Sequence, residues 1–405
     1  MSTTSTTPLD FPMPRAQGCP FDPAPVLRDL QHEAPLTRVK IWDGTTPWLV
    51  TRYDDQKRLL SDPRLSSDPT RPGYPSPAQA GDDSDRGGSL GFILMDDPEH
   101  ARLRRMVTGA FTLKRIEAMR PAVQAIVDQL IDDLIAGPNP ADLVDAFALP
   151  VPSLVICDLL GVPYADHEFF QENSKGLIDL TATAAQRGAA FQALHQYLDA
   201  LLETRMSGDG DDVLSSLVPR VTSGELTRAD AAGMGVLLLL AGHETTANMI
   251  ALGTLTLLEH PEQLTALRET DDPKMIAAAV EELLRYLNIT HNGRSRVALE
   301  DIDLDGQTIK AGDGVVLPNE IANRDPGIFA DPDTLDLERR PNRHVAFGFG
   351  VHQCLGQPLA RLELQVVYGT LYRRIPTLRL ATTLDQIPFK HDGAIYGVHR
   401  LPVTW

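Results

Sequence analysis

Between Pro98 and Leu258 apolar residues recur at three- and four-residue spacing, as in Val123, Ile126, Val127, Leu130, Ile131 and Leu134, which is the period of amphipathic helices. Inside that region Thr227-Arg-Ala-Asp230 has the form of a helix start and opens a helical run to about Glu259. At 1.5 Å per residue that helix is roughly 48 Å long, enough to cross the whole molecule. Outside the region the pattern changes. Trp48-Leu-Val-Thr51 reads as a strand and Tyr53 to Leu60 as a short helix. Residues 61–91 are crowded with Pro, Gly, Asp and Ser, which marks a long loop of the kind that serves as a lid or binding element. Asp272-Pro273 opens another helix, ending near Leu287. Residues 293–321 read as short strands with Asp305-Gly306 as a hairpin turn, residues 322–346 as irregular, and the tail from Lys390 to Trp405 as a hairpin. Residues 1–25, rich in Pro, Ser and Thr, read as an irregular arm on the surface. The pattern predicts a mainly α fold with small β-sheets, in one large domain over residues 26–405.

Composition narrows the function classes. The chain has 405 residues, 42% hydrophobic, with 37 basic and 55 acidic side chains and a net charge of −18. That balance argues against a general nucleic-acid binder. Its three cysteines, Cys19, Cys157 and Cys354, are far apart and suggest neither a disulfide framework nor a zinc cluster. An odd count without pairs fits a reducing compartment. Cys157, in Leu154-Val-Ile-Cys-Asp-Leu-Leu, reads as core. The N-terminus has neither a basic region nor an apolar core, so a signal peptide is not expected. The most apolar stretch, Ala231 to Gly242, is broken by His243 and Glu244, so no transmembrane segment is expected either. These features point to a soluble, cytoplasmic monomer.

The most specific chemistry lies in Phe347-Gly-Phe-Gly-Val-His-Gln-Cys354-Leu-Gly356. It is a glycine-rich loop that presents one cysteine and then enters a helix, with Pro358 where a missing N–H costs little. A cysteine ahead of a helix N-terminus sits near orphan N–H groups and the positive end of the dipole, which favour the thiolate. A thiolate held this way is a competent haem-iron ligand. With this pattern the chain resembles the cytochrome P-450 superfamily of haem-thiolate monooxygenases. The resemblance implies the cytochrome P-450 fold, haem b as cofactor and Cys354 as the axial metal ligand, with Phe347, Gly348 and Gly356 shaping the cofactor loop.

Three further motifs occur in the order this resemblance requires. Glu282-Leu-Leu-Arg285 places an acid and an arginine three apart on one helix face. The resemblance implies that this pair locks to a third partner ahead of the cysteine loop, Arg339, with Arg340 as the alternative. Such a bidentate network braces the haem loop and does no chemistry. Ala241-Gly242-His243-Glu244-Thr245-Thr246 puts an acid and a hydroxyl inside an apolar helical run, which is costly unless they have partners or work. By resemblance Glu244 and Thr245 are the catalytic acid–alcohol pair facing the distal side of the haem, delivering protons to bound dioxygen. Asp97-Pro-Glu-His100-Ala-Arg102-Leu-Arg104-Arg105 places His100 and Arg104 on one helix face. The resemblance gives one haem propionate to His100 and Arg104 and the other to Arg296 and His344, with Arg294 a competitor for Arg296.

The closer likeness is to soluble actinobacterial members acting on macrolides, polyketides, steroid- or terpenoid-like compounds and xenobiotics. It rests on Gly18-Cys-Pro-Phe-Asp-Pro, the Ala241 to Thr246 run and Phe389-Lys-His-Asp. The implied substrate-pocket walls run from Tyr74 to Leu94, Leu177 to Phe191, Leu237 to Ala241, Ile289 to Asn292 and Ile395-Tyr396. The implied reaction inserts one atom of O2 into a hydrophobic small molecule. With no flavin or nicotinamide fingerprint in the chain, the electrons are expected from a ferredoxin and its reductase. The stretch Arg102 to Arg120 carries six basic residues against Glu117, so Arg102, Arg105, Lys114 and Arg115, joined by Arg361, form the expected docking patch on the proximal side. Two rivals remain. One is a peroxide-driven peroxygenase. The other is a serine hydrolase using Ser89, because Gly87-Gly-Ser89-Leu-Gly91 matches a nucleophile elbow, but the residues before it are no strand.

Overall fold

A computed structural model of the protein describes residues 8–16, 18–76, 91–178, 182–208, 210–290, 293–391 and 395–405. The Ser89 elbow lies outside the described residues. So do His291 and Asn292 and parts of two other expected pocket walls, residues 77–90 and 179–181. The described chain forms two compact units, each assembled from three stretches of sequence, so neither is a contiguous domain.

The first unit comprises Met1–Ala101, Leu284–Leu335 and Pro341–Cys354. It holds a six-stranded sheet in the order Leu9–Asp10, Leu36–Lys40, Trp48–Val50, Gly314–Leu317, Arg294–Ala298 and Leu65–Ser66. Gly314–Leu317 runs parallel to Trp48–Val50 and antiparallel to Arg294–Ala298. A separate hairpin, Ile302–Leu304 with Gln307–Ile309, turns at Asp305 (φ 49°) and Gly306 (φ 76°), the two positive angles that a type I′ turn needs. The helix Tyr53–Leu60 packs Leu59 and Leu60 into the core with Trp48, Val50 and Val315. The N-terminal arm corrects the sequence expectation. Leu9–Asp10 adds a parallel strand to Val39–Lys40, and Phe11 and Met13 are buried with Leu27, Val39 and Ile321. Its apolar residues outweigh its Pro, Ser and Thr content, so the arm is part of the core.

The second unit comprises Arg102–Leu283, Asp336–Arg340 and Leu355–Trp405. It is helical, with Arg120–Ala136, Pro150–Leu160, Ala184–Arg205, Arg228–Glu259 and Gln357–Arg374 as its main elements. Helix Arg120–Ala136 buries Val123, Val127, Ile131 and Leu134 at the spacing read from sequence. The helix Arg228–Glu259 starts as expected. The Thr227 hydroxyl accepts from Asp230 N at 3.0 Å and donates to the Asp230 carboxylate at 2.6 Å. This helix packs against Pro150–Leu160, Ala184–Arg205 and Gln357–Arg374. It is long and apolar enough to cross a membrane, yet most of its apolar window is buried in the protein, as in the core helix of a globular fold.

The tail departs from a simple hairpin. Lys390 N donates to Gly397 O (2.8 Å) and His399 N to Pro388 O (2.8 Å). Past that short turn, however, Pro402–Thr404 pairs with Arg379–Leu380 and Ala141–Asp142. A remote two-residue strand on either side takes up its backbone groups, which alternation alone does not reveal.

Candidate active site

The cysteine loop belongs to the first unit. Gly348 and Gly350 both have φ 74°, a left-handed conformation that favours glycine. A Cβ on Gly350 would overlap the Leu60 carbonyl, and one on Gly348 would lie 3.1 Å from the Arg294 guanidinium. Cys354 N donates to Phe347 O (2.8 Å) and closes the loop. The Cys354 side chain is exposed. Gly356 has φ −77° and an uncrowded Cβ position. Its role is the N-cap of helix Gln357–Arg374, with its carbonyl accepting from Ala360 N at 3.0 Å.

Cationic groups gather on the same unit. Arg294 and Arg296 alternate on one strand, so their side chains leave the same face. Arg294 donates to Ala346 O at 3.4 Å and Arg296 to Ser295 O at 2.7 Å, both carbonyls. Desolvation, then the neighbouring Arg296, pull the Arg294 guanidinium down to about 10 despite the Cys354 thiol nearby. Desolvation also lowers Arg296, against the opposing effect of Tyr74 and Asp96. Nη1 of Arg294 is buried without a hydrogen-bond partner. His100 is buried, with Nδ1 3.0 Å from Asp97 Oδ1, its ring 4.0 Å from that of His352, and its Nε2 unpartnered. His344 accepts from Ala346 N at 3.2 Å through Nδ1. Arg104, one turn after His100 on helix Glu99–Thr108, belongs to the second unit. Buried cationic donors of this kind call for an anionic ligand. Together with an exposed cysteine in a glycine-shaped loop, they fit a haem with two propionates.

The second unit carries the acid and the alcohol. On helix Arg228–Glu259, Thr246 and the residues up to Leu257 are buried, whereas Ala241 is exposed and Thr245 half-buried. Thr245 Oγ1 donates to Ala241 O at 2.7 Å, competing for a carbonyl of the helical ladder. Glu244 is 7% exposed. Its Oε1 accepts from Asn248 Nδ2 (2.8 Å) and from Lys390 Nζ (2.7 Å), while Oε2 is buried without a partner. Of the expected pocket residues, Ile289 and Ile395 are half-buried, and Leu237 and Tyr396 are fully buried.

Of the residues expected to brace the loop, Glu282 and Arg339 belong to the second unit and Arg285 to the first. In the second, Glu282 is fully buried and its Oε1 accepts from Arg339 Nε (3.1 Å) and Asp336 N (3.0 Å). Arg339 therefore reaches the acid, while Arg340 is exposed. In the first, Arg285 donates to the carbonyls of Asn323 (3.0 Å), Pro332 (2.7 Å) and Thr334 (3.2 Å). The basic stretch is partly neutralised. Arg115 pairs with Asp211 at 2.9 Å, and Arg361 binds Glu281 bidentately at 2.6 and 3.0 Å. Arg102 donates to Glu225 O at 3.1 Å, whereas Arg105 and Lys114 are exposed.

Sequence reasoning missed two contributors. Arg294 was weighed only as a rival to Arg296, although the alternation Arg-Ser-Arg on a strand sends both to one face. Lys390 carries no local signal, since it lies 146 residues from Glu244.

A profile of the family "Cytochrome P450" matches residues 189–375. The cytochrome P450 GfsF of Streptomyces halstedii is 57% identical over 98% of this chain and 96% of its own. The crystal structure of GfsF superposes with a TM-score of 0.92, over 98% of this chain and all of that one. The 20-oxo-5-O-mycaminosyltylactone 23-monooxygenase of Streptomyces fradiae is 43% identical over 97% of this chain and 92% of its own. The mycinamicin VIII C21 methyl hydroxylase MycCI of Micromonospora griseorubida, solved with mycinamicin VIII bound, matches at 42% identity and a TM-score of 0.89, over 98% of this chain and all of its own. An exposed loop cysteine beside buried cations, on this fold, defines a haem-thiolate oxygenase. The chain belongs to the cytochrome P450 family, its cofactor is haem b, and it is a monooxygenase.

Proposed function

We propose that this protein hydroxylates a hydrophobic secondary metabolite of macrolide, polyketide, steroid or terpenoid type in the cytoplasm, with electrons from a ferredoxin. The observation that carries the reading is the exposed Cys354 in a glycine-shaped loop on the same unit as the Arg294 guanidinium, whose Nη1 is buried without a hydrogen-bond partner. Relatives over nearly the whole chain act on a mycaminosyl-bearing lactone and on mycinamicin VIII, which supports a large, oxygen-bearing but mainly apolar substrate.

Bound haem supplies the binding and activation of dioxygen. The residues supply the rest. Cys354 Sγ would hold the haem iron. His100, Arg294, Arg296 and His344, and by the family likeness Arg104, would hold the propionates through charge-assisted hydrogen bonds. Thr245 Oγ1 orients the last donor of the proton route, and Glu244 supplies it. Glu282 and Arg339 brace the segment ahead of the cysteine loop. In the second unit, the exposed Ala241 and the half-buried Thr245 and Ile395 offer surface to the substrate.

The test is spectroscopic. The reduced carbon-monoxide complex should show the red-shifted Soret band of thiolate ligation, lost in Cys354→His. A thiolate spectrum retained in that variant refutes the ligand assignment. Substrate-induced spin-state shifts, screened across macrolides, steroids and terpenoids, identify the class. Efficient wild-type turnover on added peroxide alone would instead establish a peroxygenase.

A further inference from the structure

Glu244 is held from outside its own helix. Its Oε1 takes two donors, Asn248 Nδ2 at 2.8 Å and Lys390 Nζ at 2.7 Å. Asn248, one turn further along the helix, also donates to the Glu244 carbonyl at 2.8 Å. Its own position is set by the tail, because any Cβ on Gly397 would overlap the Asn248 side-chain amide. Gly397 in turn accepts the Lys390 N–H at 2.8 Å. The segment 395–399 thus presses a glycine against Asn248, and Lys390 places an ammonium on Glu244. Both carboxylate oxygens are buried in the helix face, but only one is satisfied, since Oε2 has no hydrogen-bond partner.

A pair built for stability alone would not look like this. Desolvating two charges offsets most of their attraction, and a buried acceptor left open adds a further penalty. The arrangement suits a carboxylate that must stay oriented while one oxygen remains available. The exposures agree: the Lys390 side chain is 19% exposed and that of Glu244 10%, so the ammonium is the more solvent-accessible end of the pair.

We propose that Lys390 is a positioning residue for proton delivery: it clamps Glu244 through Oε1 and leaves Oε2 as the atom that receives and releases the proton. The inference rests on the reading of Glu244 as the proton-supplying acid. A proton that leaves Oε2 toward Thr245 is replaced by one from solvent water, so Glu244 returns to its starting state and Lys390 keeps its own protons. Fixing Oε1 with two donors holds the carboxylate in one orientation and so fixes where Oε2 points.

The test uses the haem-loaded enzyme with its redox partners and a hydroxylated substrate from the spin-state screen. Lys390→Met should lower kcat roughly ten-fold, part of what a positioned acid contributes, with KM unchanged. It should also enlarge the ratio of turnover in H2O to that in D2O and raise the peroxide formed per electron. Lys390→Arg should restore most of the loss. Glu244→Gln/Lys390→Met should be no slower than Glu244→Gln. A readout independent of turnover is thermal unfolding followed by circular dichroism. Lys390→Met should lower Tm in the wild-type background, where it strands a buried carboxylate, and leave it nearly unchanged in the Glu244→Gln background. If Lys390→Met lowers Tm but leaves kcat and the isotope ratio at wild-type values while Glu244→Gln is slow, the pair is structural and the proposal fails, with the relay reading intact. Losses that multiply in the double variant also overturn it. A Glu244→Gln enzyme of wild-type rate and coupling overturns the relay reading itself. Should Lys390→Met fail to fold, Lys390→Gln, which keeps a donor but no charge, carries the same comparison against Lys390→Arg.

Discussion

At the scale of single residues, burial separates side chains that sequence placed side by side. Thr245 and Thr246 are neighbours of the same type, but Thr246 is buried in the helix packing and Thr245 keeps an open face. Thr245→Ala removes one hydroxyl whose bond to Ala241 O is worth about 1 kcal/mol at most, so fold, haem content and substrate affinity should persist. Product per electron consumed should fall several-fold while peroxide rises. Measuring NAD(P)H, product and peroxide together checks this, and full coupling in the variant would remove Thr245 from the proton route. Glu363 is a different case. It lies on helix Gln357–Arg374, 2% exposed, with Oε2 lacking a partner, and burial pushes its carboxyl from 4.5 up to about 8. Between those values the unfolded chain has released the proton and the folded protein still holds it. The contribution to stability is therefore full below about pH 4.5 and lost as pH rises toward 8, at up to about 1.4 kcal/mol per pH unit. Glu363→Gln should flatten that slope and gain stability over wild type as pH approaches 8. Denaturant midpoints at pH 5, 6.5 and 8 decide it, and a constant difference between the two proteins refutes it.

At the scale of elements, the long helix shows how packing uses sequence that looks featureless. Gly253 is where helix Gln357–Arg374 comes closest, because a Cβ there would overlap the Tyr368 hydroxyl. That hydroxyl donates to Met249 O at 2.5 Å, and Tyr368 is buried, so it cannot swing away cheaply. Gly253→Ala should cost about 1–3 kcal/mol, the usual range for overpacking a core, despite the better helix propensity of alanine. Tyr368→Phe in that background should recover part of the loss by removing the oxygen nearest the clash. Thermal or urea unfolding checks both, and a neutral or stabilising Gly253→Ala would show that the helices separate at no cost. The helix itself was legible, because Thr227 caps it and its apolar run has no competing turn signal. Helices Tyr53–Leu60 and Pro273–Tyr286 and the Asp305-Gly306 turn were legible for the same local reasons. The strands Leu9–Asp10 and Pro402–Thr404 were not. Each is two or three residues long and exists only through partners remote in sequence, which no local period records.

At the scale of the whole molecule, the cysteine loop and the Glu244–Thr245 run stand out because each is a short continuous motif, whereas the charge on the surface does not. Counting basic residues from Arg102 to Arg120 gives six against one acid, on a protein of net charge −18. Carboxylates then neutralise part of that surplus: Glu117, the acid of the stretch itself, takes Arg120, and Asp211 from another segment takes Arg115, while Glu281 takes Arg361 outside the stretch. Arg105 and Lys114 are exposed, and so is Leu113, the sequence neighbour of Lys114, at 72%. Exposed cationic side chains together with an exposed leucine suit the docking of an acidic electron donor, with the charges steering encounter and the apolar contact holding the docked pair. Lys114→Glu and Arg105→Glu should therefore slow reduction by ferredoxin several-fold at low salt and leave substrate affinity unchanged. Arg361→Gln should do so far less, since its charge is already paired. Salt should reduce the wild-type rate and shrink the gap between wild type and the reversal variants, because the screening length falls from about 10 Å at 0.1 M to about 3 Å at 1 M. Leu113→Ser should weaken the complex with little effect on its salt dependence. Stopped-flow reduction of the carbon-monoxide-trapped haem across a salt series measures all of these. Rates indifferent to salt and to both charge reversals would place the electron donor on another face.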